Sequence, residues 1–206
     1  MALTPSTTSA PPPGRRSFQD SSGATFVSVA PGDHYVTGNP DETVVTLLGS
    51  CVAACARDPV TGVGGLNHFL LPSSDQEVKN SDEAMRFGDY AMEQLLNSIY
   101  RKGGQRGRIE FKIFGGARVL GGSTLLKIGE QNIAFVEKFL KNEGFPIMAR
   151  SVGGTAPRRL RFHPASGKAF VQELDRTSAA SVTREEEQYR NKITRVAPKG
   201  GDVEFF

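Results

Sequence analysis

The sequence lacks the features that mark membrane, secreted or nucleic-acid-binding proteins. None of its apolar runs approaches the length of a membrane-spanning helix, so membrane insertion is not expected. The N-terminal residues show no basic region followed by an apolar segment, which a signal peptide would need. The formal net charge is only +3, which does not favour nucleic acid as a partner. We therefore expect a cytoplasmic protein.

Cysteine is also scarce, since the chain has only Cys51 and Cys55. In an extended segment their Cα atoms would lie about 13 Å apart, which disfavours a disulfide. A structural zinc site would need a second ligand cluster, and the three histidines are scattered along the chain. No metal or other cofactor is expected. Each thiol is then a core residue or a nucleophile, and Cys55 is assigned to the core, with His34 and His163 in surface or structural roles.

The chain divides by composition into three parts. Residues 1–24 are rich in proline, serine and threonine, and we predict disorder because they can bury little apolar surface. Residues 25–175 carry the apolar patterns of a folded domain. Residues 176–206 form a C-terminal extension that is expected to be partly helical. A short charged helix is predicted from Thr183 and Glu186, with its basic residues on a solvated face.

The periodicities within the folded part predict a layered α+β domain with two main helices packed on a sheet. A turn sequence at 58–62 separates apolar runs at 44–58 and 63–71 and indicates a β-hairpin. Apolar residues recur on one face over 80–100 and again over 130–142, which predicts two helices. Further strands are predicted at 109–113, 147–152, 159–162 and 169–174.

A cysteine and a histidine fall close together on the predicted hairpin. If Asp58 pairs with Val63, then His68 lies opposite Ala53, and Cys51 lies diagonal to His68 on the same face. Their backbones would be roughly 7–8 Å apart, within side-chain reach. A nucleophilic thiol needs such a base, and backbone amides around the cysteine could stabilise an oxyanion. The alternative is that both are core residues, because a register slip of one residue would separate them.

Several short motifs occur in a fixed order over residues 26–174. They are Thr46-Leu47-Leu48-Gly49-Ser50-Cys51-Val52, Gly64-Gly65-Leu66-Asn67-His68, Leu71-Pro72, Phe114-Gly115-Gly116-Ala117, Ile128-Gly129-Glu130-Gln131-Asn132 and Val152-Gly153-Gly154. In this order and combination they resemble the CheD family of chemoreceptor glutamine deamidases. One departure is the segment after Gly154, where a Gly-Arg pair is expected and only Arg158 or Arg159 is available for its role.

The resemblance implies an α/β sandwich related to toxin deamidases and an enzyme that converts receptor glutamines to glutamate and so regulates chemotaxis. It implies Cys51 as the nucleophile, His68 as its base and a threonine that orients the histidine. Thr46 is the candidate, although in one unbroken strand it would face away from Cys51, as an ordinary strand residue. The implied partners are cytoplasmic helices of methyl-accepting receptors and, in some organisms, a CheC-type phosphatase.

Two other functions stay open on the residues alone. A cysteine peptidase or a transglutaminase would use the same Cys51 and His68 and would differ in its product. A regulatory binding module would keep the fold with a vestigial dyad. In that case the glycine-rich segment 114–117 would be a contact loop, whereas its simpler interpretation is a tight turn after a strand.

Overall fold

The computed structural model describes residues 17–19, 21, 23–71, 81–119 and 123–196. Ten strands and three helices follow one another within these residues, together with a short 3-10 turn at Arg106–Arg108. The elements are β1 (Ser17–Gln19), β2 (Thr25–Ser28), β3 (His34–Thr37), β4 (Glu42–Leu48), β5 (Val52–Arg57), β6 (Gly64–Phe69), α1 (Ser81–Arg101), β7 (Glu110–Gly115), α2 (Ser123–Glu143), β8 (Ile147–Val152), β9 (Arg158–His163), β10 (Lys168–Glu173) and α3 (Arg176–Val196).

The strands form two five-stranded sheets. The first sheet has the order β1-β2-β4-β9-β10 and the second the order β3-β6-β5-β7-β8. One face of the second sheet packs on the first sheet around Leu48, Leu66 and Phe162. Its other face packs on α1 and α2 around Leu95 and Val136. The second sheet is thus the middle layer of three, which confirms the α+β sandwich with two helices on a sheet.

The β5–β6 hairpin has the predicted register. The Asp58 amide donates to the Val63 carbonyl at 2.8 Å, and Ala53 lies opposite His68. The run 44–58, however, is not one continuous strand. It is divided between β4 in the first sheet and β5 in the second, because the chain crosses from one layer to the other at residues 49–51. Both strands of the hairpin are almost wholly buried, which explains why they are apolar throughout.

The predicted helices are present, with different bounds. α1 agrees closely with the prediction, while α2 begins seven residues before the predicted start at 130. α3 is 21 residues long and begins before the predicted start at Thr183. β1 lies within the segment 1–24 for which disorder is predicted, and residues 1–16, 20 and 22 of that segment lie outside the described residues. Within the described part of the chain, none of the helices combines the length and apolarity needed to cross a membrane.

Candidate active site

The crossing between the two sheets forms a short loop, residues 49–51, that ends at the buried Cys51. Each backbone carbonyl of this loop accepts a hydrogen bond from the segment at the end of β7 or from α2. Gly116 N donates to the carbonyl of Cys51 at 2.7 Å, and Ala117 N donates to that of residue 49 at 2.7 Å. Asn132 Nδ2 on α2 donates to the carbonyl of residue 50 at 2.9 Å. All three carbonyls of the loop are thus hydrogen-bonded within the body of the protein.

The loop can be held this closely because β7 ends in a glycine and a second glycine follows it. Gly115 and Gly116 have φ angles of 107° and 68°, in the region that favours glycine. A Cβ on Gly115 would lie 2.2 Å from the Cys51 carbonyl oxygen, closer than van der Waals contact between the two atoms allows. The tight turn predicted for 114–117 is therefore present, and it lies directly against the cysteine loop.

The amide groups of the loop converge on a carboxylate from α3. Gly49 N and Cys51 N donate to Glu186 Oε1 at 2.8 Å and 3.0 Å. Ser50 donates to Oε2 twice, from its backbone N at 2.8 Å and from its Oγ at 2.7 Å. Three successive amides aimed at one anionic group are the arrangement that stabilises an oxyanion in acyl transfer.

Glu186 was missed as a site residue by the sequence reasoning, which placed it in a charged helix. Three glutamates stand in a row at 185–187, and the middle one is buried. The available signal was helical spacing, because Val182, Glu186 and Tyr189 share one face of α3. Val182 is buried and Tyr189 packs against the core between the sheets.

His68 on β6 is oriented by Thr46 on β4. His68 Nδ1 lies 2.8 Å from Thr46 Oγ1, and that hydroxyl donates to the Val29 carbonyl at 2.8 Å. Because a hydroxyl has a single proton, Thr46 must accept from a protonated Nδ1. His68 Nε2 then carries no proton, and this buried atom has no hydrogen-bond partner among the described residues. The imidazole is thereby prepared to accept a proton.

The three side chains come together in one buried cluster. The Cys51 Sγ, a ring nitrogen of His68 and a carboxylate oxygen of Glu186 all lie within 4.8 Å of one another. Burial raises the pKa of the Cys51 thiol well above its usual range, and the Glu186 charge raises it further. Burial lowers the pKa of His68 to about 4, against the opposing effect of Glu186. In this structure the thiol and the imidazole are thus both neutral at neutral pH.

These three residues are also types that bind zinc, and their hydrogen bonds argue against that use. Each oxygen of Glu186 already accepts two hydrogen bonds from the loop. Nδ1 of His68 is engaged by Thr46. The donors around Glu186 are those of an anion-binding loop, and a zinc ion would have to compete with them.

The other residues singled out in the sequence lie outside this cluster. Arg158 is buried and donates to backbone carbonyls at the end of β8. His34 Nε2 lies 2.9 Å from Ser98 Oγ on α1. His163 Nδ1 lies 2.7 Å from Ser166 Oγ in the β9–β10 hairpin, and its Nε2 lies 2.6 Å from the Pro40 carbonyl oxygen. Cys55 is buried in the core between the sheets.

Known proteins are similar to this chain over most of its length. Residues 70–173 match the family described as CheD chemotactic sensory transduction. A protein of Rhodopseudomonas palustris (strain BisA53), named "Probable chemoreceptor glutamine deamidase CheD", is 45% identical over 204 residues, which are 98% of this chain and 94% of that protein. Proteins of the same name from Saccharophagus degradans and Caulobacter sp. (strain K31) are 44% and 43% identical, over 87% and 94% of this chain and 84% and 99% of their own lengths.

Among solved structures, the hypothetical protein YfiH of Bacillus licheniformis aligns with 58% of this chain and 50% of its own, at 16% identity and a TM-score of 0.38. That likeness is too remote to bear on the fold, which rests on the two sheets and their helices. The family match spans half of the chain, and the sequence relatives span nearly all of it. This chain belongs to the CheD family.

Proposed function

We propose that this chain is a protein-glutamine deamidase that converts glutamine side chains of methyl-accepting chemotaxis receptors to glutamate. One observation carries the proposal: a glutamate carboxylate is bound by the amides of loop 49–51, beside Cys51 and His68. A glutamate side chain is the product of glutamine deamidation. The relatives' shared name, chemoreceptor glutamine deamidase, supports receptors as the substrate class.

In the first step Cys51 acts as the nucleophile. Its thiol transfers a proton to Nε2 of His68, and the sulfur attacks the side-chain carbonyl carbon of the glutamine. The carbonyl oxygen gains the electron pair and accepts hydrogen bonds from the backbone amides of Gly49 and Cys51. In this structure, these two amides donate to Oε1 of Glu186. Thr46 keeps the imidazole in the tautomer that this transfer requires.

In the second step His68 returns the proton. The imidazolium protonates the amide nitrogen, the C–N bond breaks, and ammonia leaves a thioester between Cys51 and the substrate. Water then gives a proton to His68 Nε2 as its oxygen attacks the thioester carbonyl. The collapse of this second intermediate releases glutamate and restores the thiol. The overall change consumes one water and releases one ammonia, and no step requires an external cofactor.

The proposed consequence is electrostatic. Each conversion adds one negative charge to a receptor helix in the cytoplasm and biases the signalling state of the receptor. Regulation by a CheC-type phosphatase is proposed on the family resemblance alone.

The test is mass spectrometry of a purified receptor cytoplasmic domain incubated with this protein. We expect specific glutamines to become glutamates with release of ammonia. Neither the conversion nor the ammonia should be observed with Cys51→Ala or with His68→Ala. A cleaved receptor chain would instead indicate a peptidase, and an amine joined to glutamine a transglutaminase. If cognate receptors bind this protein and stay unmodified, the protein would act as a binding module and not as an enzyme.

A further inference from the structure

The last of the described helices, α3, closes the candidate site, and the inference drawn from it rests on the proposed function. α3 places Val182 and Glu186 in buried positions and Tyr189 against the core between the sheets. The ring of Tyr189 occupies the space beside Gly32, where an added Cβ would lie 2.2 Å from its hydroxyl. A cavity of only about 20 Å³ remains between α3 and the cysteine loop. Among the described residues Cys51 is fully covered, with an exposed fraction of 0%.

The loop that holds Glu186 is better matched to a carboxylate than to a carboxamide. Both oxygens of Glu186 accept two hydrogen bonds, and three of the four donors are backbone amides, which cannot reverse their direction. A carboxamide offers only one acceptor atom, so its NH₂ group would face at least one of these amides. An unpaired buried donor is costly, and therefore the product form should bind this loop more tightly than the substrate form.

We propose that α3 is an intramolecular product mimic, in which Glu186 occupies the substrate-glutamine position and must leave before a receptor helix can enter. Glu186 is presented from a helix, as a receptor glutamine is in the proposed reaction. The same helix buries Val182 one turn before Glu186 and packs the partly buried Tyr189, three residues after it, against the core between the sheets. The surface under α3 is therefore an acceptor for an amphipathic helix with an inward-facing glutamine.

The state of the cysteine agrees with an inhibited site. Burial, to which α3 contributes, is the largest cause of the raised pKa of Cys51, and the Glu186 charge is the next. Departure of α3 removes both effects together, because the thiol regains solvent and the Glu186 carboxylate moves away from it. A single displacement would thus open the site and favour the thiolate.

The decisive experiment converts the product mimic into a substrate. Glu186→Gln in the full chain puts a carboxamide beside Cys51, held by the remainder of α3. We expect the protein to hydrolyse this amide itself, so that a glutamate is found at position 186 and carries oxygen from heavy-oxygen water. The reaction should be first order and independent of protein concentration, since the helix holds the amide in place.

Two controls separate this result from slow spontaneous deamidation. Glu186→Gln combined with Cys51→Ala should keep the amide. Glu185→Gln, which alters the exposed neighbouring carboxylate, should also keep its amide although Cys51 is intact. Conversion only in the single variant at position 186 supports the product mimic.

The fate of the amide at position 186 and the modification of receptors are measured separately, so the product mimic and the proposed function can fail independently. If the wild-type protein deamidates receptors while the Glu186→Gln amide persists, the product mimic is wrong and the proposed function stands. If the amide at position 186 is hydrolysed while cognate receptors stay unmodified, α3 is a product mimic and receptors are the wrong substrate.

A second measurement tests the block directly. Glu186→Ala removes four hydrogen bonds to a charged acceptor, so α3 should detach more often. We expect iodoacetamide to alkylate Cys51 at least about tenfold faster than in the wild type, with Glu185→Ala unchanged. Equal alkylation rates in all three proteins would overturn the proposal.

Discussion

Thr46 Oγ1 lies 2.8 Å from His68 Nδ1 and joins the two sheets across the buried core. Thr46 belongs to β4 in the first sheet, and His68 to β6 in the second. The same hydroxyl donates to the Val29 carbonyl, so its lone pair faces the imidazole. The proposed base is therefore oriented by a strand that belongs to the opposite layer.

The first prediction concerns this contact. Thr46→Val keeps the shape of the side chain but removes the acceptor for Nδ1–H, so the imidazole loses its preference for the productive tautomer. We expect kcat for receptor deamidation to fall about a hundredfold with little change in KM, in line with the usual contribution of a positioned base. Thr46→Ser keeps the hydroxyl and should recover most of the rate.

NMR of the His68 ring nitrogens gives an independent readout, since Nδ1 should be protonated in the wild type and in Thr46→Ser. Equal losses of kcat in the serine and valine variants would mean that Thr46 matters only for packing.

The hairpin and the proximity of Cys51 to His68 could be predicted because they depend on local sequence. The turn from Asp58 sets the pairing of the two strands, and this places His68 opposite Ala53. The position of Thr46 was harder to predict from the residues, because the chain changes sheets at 49–51. That change depends on the pairing of β4 with β9, more than a hundred residues further along the chain.

Glu186 shows the limit of sequence reasoning more clearly. It lies 135 positions after Cys51 and is flanked by two other glutamates. A charged run is usually solvated, and only the docking of α3 selects the middle residue for burial. The helix itself was predictable from its composition, whereas the surface to which it binds is formed by residues from several distant strands and loops.

The second prediction tests the support of the cysteine loop. Gly115→Ala places a Cβ 2.2 Å from the Cys51 carbonyl oxygen at a φ of 107°. We expect a loss of about 3 kcal/mol in the free energy of unfolding and at least a tenfold loss of kcat, because the loop must move. Urea unfolding and receptor deamidation measure the two effects.

Gly103→Ala is the matched control. Gly103 also has a positive φ, of 94°, and an added Cβ there would meet nothing within 4 Å. It should therefore cost only about 1 kcal/mol and leave kcat unchanged. Similar effects from both substitutions would show that backbone strain alone, and not the approach to Cys51, requires the glycine.

The third prediction follows from the buried imidazole. The pKa of His68 is lowered from 6.5 to about 4, so the unfolded chain binds a proton between these values that the folded chain does not. The contribution of the neutral His68 side chain to the free energy of unfolding is fully present above pH 6.5. It is lost as the pH falls toward 4, by up to about 3 kcal/mol. His68→Gln should remove this part of the pH dependence. Urea unfolding of both proteins from pH 7 to pH 4 tests it, and parallel profiles would contradict it.

The fourth prediction concerns the turn that holds the hairpin. The carboxylate of Asp58 is inaccessible to solvent, accepts from Val60 N at 2.9 Å and Gln105 N at 3.0 Å, and forms an ion pair with Arg108. Although burial raises the pKa of Asp58, the hydrogen bonds from Arg108 and the backbone outweigh it and lower the value to about 2. Its contribution to stability is therefore present above pH 3.8 and is lost as the pH falls through 2.

Asp58→Asn should lower the free energy of unfolding at pH 7 by about 2 kcal/mol, because the amide replaces one charged acceptor with a donor that faces Arg108 or a backbone N–H. Asp41→Asn, at an exposed position, should change it by less than about 0.5 kcal/mol. Since Asp58 acts on the hairpin and not on the reacting atoms, kcat measured well below the melting temperature should stay at the wild-type value in both variants. A fall in kcat without a fall in stability would mean that the turn adjusts His68 directly, and that its network extends into the site.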